Sequence, residues 1–255
     1  MIFPRFFKAL CATLALPALI IAVLCGHSSA VEFSEAQIAG KRVTVCRVNV
    51  RRERLQLFLH DDSGQAFRRF ERLSAWLEPR RQKLVFAMNA GMYQRDGSPV
   101  GLYVADRRQL NALNTNDGPG NFFLKPNGVF VVTSNGARIV ESSEFPRLGE
   151  PIKLATQSGP LLLRNGKIHP AFQPDSQNRL VRNGVGVSSP EVAVFAISEA
   201  PVTFHEFAVL FRDVLGCPDA LFLDGVISSL HSPQLKRIDQ KADLGPIIGV
   251  TEEMK

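Results

Sequence analysis

The sequence predicts an α+β fold, a single domain around mixed, mainly antiparallel sheet with two or three helices. Three observations carry this. Many short apolar runs are bounded by Gly, Asn or Pro. Only two stretches repeat their apolar residues at helical spacing. Strands and helices follow no strict alternation, so a doubly wound parallel sheet is the less fitting architecture.

Taken in order, Val43 and Val45 and then Leu55, Leu57 and Leu59 alternate with polar residues across an Arg/Glu-rich connection. That pattern predicts two neighbouring strands joined as a hairpin. In residues 66–78 the side chains of Phe67, Phe70, Leu73, Trp76 and Leu77 recur at helical spacing, and Pro79 stops the run, giving a surface helix with one buried face. Residues 84–88, 100–104, 121–124, 129–133, 154–157 and 161–163 are strand candidates. Asn165-Gly166 supplies the positive-φ pair of a tight hairpin turn. A strand is expected at 192–197, and then a second amphipathic helix over about 204–215, carrying Phe207, Leu210, Phe211 and Val214 and closed by Gly216. Strands at 220–223 and 247–250 complete the reading.

The first thirty residues have the order of a secretory signal: basic Arg5 and Lys8, an apolar run from 9 to 24, and a small polar end with Ser28 and Ala30. Cleavage is expected between Ala30 and Val31, leaving a soluble domain of residues 31–255 in the periplasm or outside the cell. The apolar run falls short of the ~20 residues that span a bilayer, and no second such run follows, so no membrane span is expected in the mature form. Two other readings stay open, an uncleaved anchor and a lipoprotein site at Leu24-Cys25, where Leu24 is bulky for that role.

Composition is that of a globular domain, 45% hydrophobic and 21% charged. The leader holds two of the 30 Lys and Arg and none of the 24 Asp and Glu, so the mature chain is only mildly basic. The pairs Arg51-Arg52, Arg68-Arg69, Arg80-Arg81 and Arg107-Arg108 are scattered and lack interleaved aromatics, which argues against nucleic acid as a partner and leaves an anionic small molecule open. No Cys/His spacing suits a metal, and neither GxSxG nor a P-loop occurs, so no metal and no cofactor is expected. Cys46 and Cys217 are the only cysteines beyond the leader. In an oxidising compartment they are candidates for one disulfide; the alternative is two buried thiols, since both have apolar neighbours.

The connections are rich in Asn, Gly and Ser: Asn89 to Gly91, Asn114 to Gly118, Asn127-Gly128, Gln157 to Gly159, Arg182 to Gly184, Asp224-Gly225 and Ser228-Ser229. Such groups offer uncharged donors and close backbone approach, as sugar or phosphate recognition requires. Each taken alone also fits an ordinary turn.

Six segments in order, FAMNAGMY (86–93), PVGLYV (99–104), GNFFLKPNGVF (120–130), ATQSGPLL (155–162), RNGVGV (182–187) and LFLDGVISSL (221–230), resemble those of the phosphodiester glycosidase family, closest to its bacterial exported branch. The resemblance runs from about Cys46 to Val250. It implies hydrolysis of a sugar-1-phosphodiester at the glycosidic bond, releasing a sugar and a phosphomonoester. The partner is then a sugar-phosphate small molecule or an envelope glycoconjugate.

Against that reaction Asp224 and Arg182 are the catalytic candidates. Asp224 ends an apolar strand and is placed to face an oxocarbenium-like carbon; the alternative is a cap on the next turn. Arg182 suits the phosphate, because a guanidinium grips two oxygens at once. The substrate-binding candidates are Asn89, Gly91, Asn127, Thr156, Gln157, Ser158, Gly159, Asn183, Gly184, Gly225, Ser228 and Ser229, with Asn89 and Asn127 either orienting the sugar or bracing loops. A second carboxylate is missing from these motifs: only Asp96 and Asp117 stand near, and Ala105-Asp106 occupies a position where relatives often carry Glu. A catalytically weak envelope saccharide-binding protein is therefore the alternative function, and cleavage of P–O rather than C–O is a third.

Overall fold

The computed structural model describes residues 31–225, 227–239 and 242–254; the expected leader lies outside them. Along the chain run β1 (Val31–Ile38), β2 (Lys41–Asn49), β3 (Arg54–Phe58), α1 (Phe70–Leu77), β4 (Gln82–Asn89), β5 (Tyr103–Ala105), β6 (Arg108–Asn111), β7 (Gly128–Thr133) and β8 (Gly136–Glu141). There follow β9 (Ile152–Ser158), β10 (Leu161–Arg164), β11 (Lys167–Ile168), β12 (Asn183–Ser189), β13 (Val192–Ser198), α2 (Phe204–Val209), β14 (Asp219–Phe222), β15 (Leu230–Ser232), β16 (Arg237–Ile238) and β17 (Ile247–Glu253).

The strands form three sheets, in the orders β1-β2-β13-β12-β14-β10-β11, β16-β15-β4-β17-β3 and β6-β5-β9-β7-β8. The expected mainly antiparallel character holds throughout: every pairing among the described residues is antiparallel.

One core joins the three sheets. Phe86 of the second sheet and Phe130 of the third both pack on Phe195 of the first, at ring-centroid distances of 5.1 and 5.9 Å, and all three are fully buried. Each such side chain contributes roughly 2–3 kcal/mol by leaving water. The other face of the first sheet is covered by α2, where Val43, Val45, Val194 and Ala196 meet Phe207 and Phe211. Helix α1 covers the second sheet through Phe70, Leu73 and Leu77 against Leu84 and Ile247. Strands β2, β12 and β13 are thus buried on both faces, with Val185, Phe195 and Val48 toward the shared core and Val43, Val194 and Ala196 toward α2.

Four sequence expectations change. The segments 43–45 and 55–59 are strands but form no hairpin, since β2 has β1 and β13 on its two edges while β3 pairs with β17. The first helix begins at Phe70 rather than 66, because Ala66 bridges to His60, Phe67 donates to the Leu59 carbonyl at 2.9 Å, and Arg68 takes a φ of 58°. Residues 121–124 form a 3-10 turn at Asn121–Phe123, closed by the Asn127 amide on the Phe122 carbonyl at 2.7 Å. The segment beginning at Asn183 is a central strand rather than a loop. Its glycines serve close approach, since a Cβ at Gly184 would lie 2.8 Å from the Leu221 carbonyl and one at Gly186 2.7 Å from the Phe211 ring. The second helix is as expected at its start, with a Thr203/Glu206 capping box. It widens to a π turn at Leu210–Val214 and ends at Gly216 with φ 69°.

Candidate active site

β4, β9, β12 and β14 bring their polar ends together. At the end of β4, Asn89 donates through Nδ2 to the Asp224 carbonyl at 3.0 Å and accepts at Oδ1 from the Ser229 N–H at 3.0 Å. At the start of β12, Asn183 donates to Asn89 Oδ1 at 2.9 Å and accepts at its own Oδ1 from the Asp224 N–H at 3.1 Å. The Ser228 hydroxyl donates to the Gly225 carbonyl at 2.9 Å, and Ser158 at the end of β9 donates to the Leu223 carbonyl at 2.9 Å. The Asp224 backbone is held on both sides by these buried amides, which fixes where its carboxylate emerges.

Two further predicted residues join this network at one remove. Thr156 Oγ1 accepts from the Gly91 N–H at 3.2 Å, and a Cβ at Gly91 would lie 2.3 Å from the Gln157 carbonyl. Gln157 is spent on bracing: its Oε1 accepts from Leu102 and Asn114 N–H groups, both at 2.9 Å, and its amide donates to the Asn114 carbonyl and the Ser142 hydroxyl. Asn127 packs against Gly159, where a Cβ would meet its own at 2.7 Å. Among the described candidates Asp224 alone is only half-buried; all the others are buried.

Arg182 lies elsewhere in the arrangement. Its guanidinium is fully buried on the α2 side of β12, 3.6 Å over the Phe204 ring, with Nε donating to the Val202 carbonyl at 2.9 Å and Nη2 to the Asn178 carbonyl at 3.1 Å. Burial pushes its pKa down to about 10. Neighbouring Asn183 points to the opposite face, as strand alternation dictates. The two-pronged grip expected of Arg182 is therefore occupied by the protein's own carbonyls, with Nη1 left buried and without a hydrogen-bond partner among the described residues.

The disulfide candidate is corrected. Cys46 and Cys217 are both free and buried, Cys46 in the core shared by the three sheets and Cys217 on the α2 side beside Gly186. The first sheet separates them, so the bond geometry is out of reach. Burial pushes the Cys46 thiol well up and that of Cys217 up to about 12.

The sequence reading missed a cluster beside Asp224. The Tyr93 hydroxyl donates to the Asp243 carbonyl at 2.6 Å, and the Asp243 carboxylate pairs with Arg68 at 3.4 Å and Arg69 at 3.2 Å. Tyr93 has its pKa raised, first by burial and then by the negative charges of Asp224 and Asp243. The other acids noted earlier serve locally: Asp96 accepts from Ser98, and Asp117 pairs with Lys125 at 2.6 Å. Among the described residues no group of three or more His, Cys, Asp and Glu is arranged to hold a metal ion.

Residues 82–242, which contain the whole asparagine network and Asp224, match the family model described as phosphodiester glycosidase. The chain belongs to the phosphodiester glycosidase family. Within curated proteins it is similar to the uncharacterized protein YigE of Escherichia coli K12, 36% identical over 184 residues, which is 72% of each chain. Its fold is similar to the catalytic domain of zebrafish N-acetylglucosamine-1-phosphodiester alpha-N-acetylglucosaminidase, auto-inhibited by its pro-peptide, with a TM-score of 0.61, 14% identity, and 89% of this chain and 85% of that one covered. A hypothetical protein from Synechocystis shares the fold at a TM-score of 0.53 and 16% identity, over 87% of this chain and 61% of its own. Sequence membership of the family thus rests on the 82–242 stretch, and the two solved structures extend the likeness in fold to most of the described chain.

Proposed function

We propose that this protein is an exported hydrolase that cleaves the glycosidic bond of a sugar-1-phosphodiester, releasing a sugar and a phosphomonoester. One observation carries the reading: within the family stretch, Asp224 is the candidate that reaches solvent, and the buried Asn89, Asn183 and Ser228 fix its backbone. The leaving group is a phosphate already carrying negative charge, so it needs less protonation than an alkoxide. A single carboxylate facing the oxocarbenium-like carbon then supplies the main electrostatic stabilisation. Water adds to the anomeric carbon as the C–O bond to phosphate breaks, and the water's proton leaves with the phosphomonoester or the solvent.

Arg182 enters this reading as a positioning residue, because its stack on Phe204 ties the start of β12 to α2. Export is part of the proposal: residues 1–30 have the order of a cleavable leader, and no helix among the described residues is long and apolar enough to cross a membrane.

The test is incubation of the exported, purified protein with the methyl ester of N-acetylglucosamine-1-phosphate and related sugar-1-phosphodiesters in ¹⁸O-labelled water. Label in the released sugar supports C–O cleavage; label in the phosphate marks a phosphodiesterase; no turnover of any member overturns the hydrolase reading. A saccharide-binding protein is the second reading, favoured by one observation: Asp243, a second carboxylate near Tyr93, is already held by two arginines.

A further inference from the structure

We propose that Arg68 and Arg69 form the phosphate-binding edge of the Asp224 site, with Tyr93 as the link between them and the carboxylate. This rests on the phosphodiester reading above. Neither arginine nor Asp243 lies in the 82–242 stretch that matches the family model.

The placement follows from a chain of connections. Asn89, whose amide holds the Asp224 carbonyl, is followed by Ala90, whose N–H donates to the Pro246 carbonyl at 2.8 Å. Four residues beyond Asn89, Tyr93 closes on the same returning segment: its hydroxyl meets the Asp243 carbonyl, and its ring fills the space over Gly245, where a Cβ would lie 2.3 Å from Cγ. An extended chain of four residues spans at most roughly 14 Å, so Tyr93 and Asp224 share one neighbourhood. Arg68 and Arg69 then join through the Asp243 carboxylate, and the Leu244 N–H donates to the Arg68 carbonyl at 2.8 Å. The left-handed φ of 58° at Arg68 is one that non-glycine residues adopt at a cost, and it turns this corner of the chain.

The donors present favour an anion here. Two guanidinium groups, with five N–H donors each, share the Asp243 carboxylate, and Arg68 donates in addition to the Asp96 carbonyl at 3.4 Å. Both side chains are about half exposed, at 45% and 57%, and can still reach a ligand, whereas the Arg182 guanidinium is sealed against Phe204. A phosphodiester carries one negative charge and two free oxygens, the geometry that a guanidinium fork matches. The Tyr93 ring beside Asp224 offers an apolar face to the sugar attached to that phosphate. The cluster thereby supplies the cationic partner that the sequence assigned to Arg182.

Binding of methyl phosphate, measured calorimetrically on the exported protein, tests this without requiring turnover. Arg68→Ala/Arg69→Ala is expected to weaken methyl phosphate binding about tenfold or more, the scale of one lost charge-assisted contact, while the affinity for neutral N-acetylglucosamine changes less than about twofold. Arg164→Ala, in β10 next to the edge strand β11 of the first sheet, is the control and should bind as the parent does. Should the double variant unfold, Arg69→Ala alone, the more exposed side chain, is judged by the same criterion, with loss expected at several-fold. Unchanged methyl phosphate binding in the folded variant, equal loss for the neutral sugar, or no binding by the parent overturns the proposal. The outcomes separate from those of the hydrolase reading: a parent that binds methyl phosphate through Arg68 and Arg69 yet cleaves nothing sinks only that reading. A parent that cleaves, with kcat/KM untouched in the variant, sinks only this one.

Discussion

The side-chain amide of Asn183 donates to both Oδ1 of Asn89, at 2.9 Å, and its backbone oxygen, at 3.2 Å, joining the first and second sheets inside the protein. Asn183→Ala removes both contacts and strands the Asp224 N–H. Buried polar groups left unpaired cost about 1–3 kcal/mol each, so a stability loss of about 2–4 kcal/mol is expected. Urea unfolding measures it; a change under about 0.5 kcal/mol would show that the amide pair does not hold the sheets together.

Asp224→Asn keeps size and shape, and the contacts of the Asp224 N–H and carbonyl come from the backbone, so they survive the change. Folding should be nearly unaffected while turnover of the sugar-1-phosphodiester disappears. A pure binding protein would instead retain its ligand in this variant and show no turnover in the parent. Hydrolysis at the parental rate would remove Asp224 from the chemistry.

For Arg182 two substitutions give opposite readings. Arg182→Met preserves bulk over the Phe204 ring and removes a guanidinium whose charge is disfavoured by burial, so stability should fall by no more than about 1–2 kcal/mol. Arg182→Ala opens a cavity and should cost about 3–4 kcal/mol. If the guanidinium gripped substrate directly, the Met variant would lose about 10²-fold in kcat/KM; less than about tenfold is expected from the buried geometry.

Cys46 and Cys217 should both titrate as thiols in the denatured, unreduced mature protein, and both should resist alkylation while folded, since burial holds their pKa values up. A mature chain lacking free thiols, measured by mass after alkylation, would contradict the separation of the two residues by the first sheet.

His169 and His231 are held below the ordinary 6.5 by burial. Below about pH 6.5 the unfolded chain takes up protons that the folded chain refuses, so their contribution is intact above that pH and declines as pH falls toward the lower folded-state values. The urea midpoint should therefore drop between pH 7 and pH 5, with a shallower drop in His169→Gln/His231→Gln. Identical pH slopes in the two proteins would be the contrary result.

Much of this architecture is legible in the sequence, because local periodicity reports burial. The runs at 84–88, 129–133, 154–157 and 192–197 all sit in strands, and the Asn165-Gly166 turn has the positive φ values of 50° and 74° that its residue types favour. Partner choice is not local, so β2 and β3 read as a hairpin although each pairs with strands far along the chain. Gly184 reads as a turn residue because a glycine required by close packing has the same letter as one required by a turn. Chemistry-bearing residue types single out Asn89, Asn183, Asp224 and Ser228, which the fold brings into one hydrogen-bond network, and burial separates the groups that brace from the one that reaches solvent. Sequence shows the charge of Arg182 and not which strand face carries it, so its contacts with Phe204 and the Val202 and Asn178 carbonyls are not legible there. Arg68 and Arg69 read in the sequence as one scattered pair among several, since only the fold brings Asp243 and Tyr93 to them.

Residues 247–253 lie between β3 and β4, hydrogen-bonded to both, so the second sheet stays open until these residues have been made. Asn89 pairs directly with Ile247 in that ladder, which ties β17, the last strand among the described residues, to the asparagine network. On the export reading, a chain threaded N-terminus first across a membrane would deliver Asn89, Asn183 and Asp224 to the far side ahead of the strand that closes the second sheet.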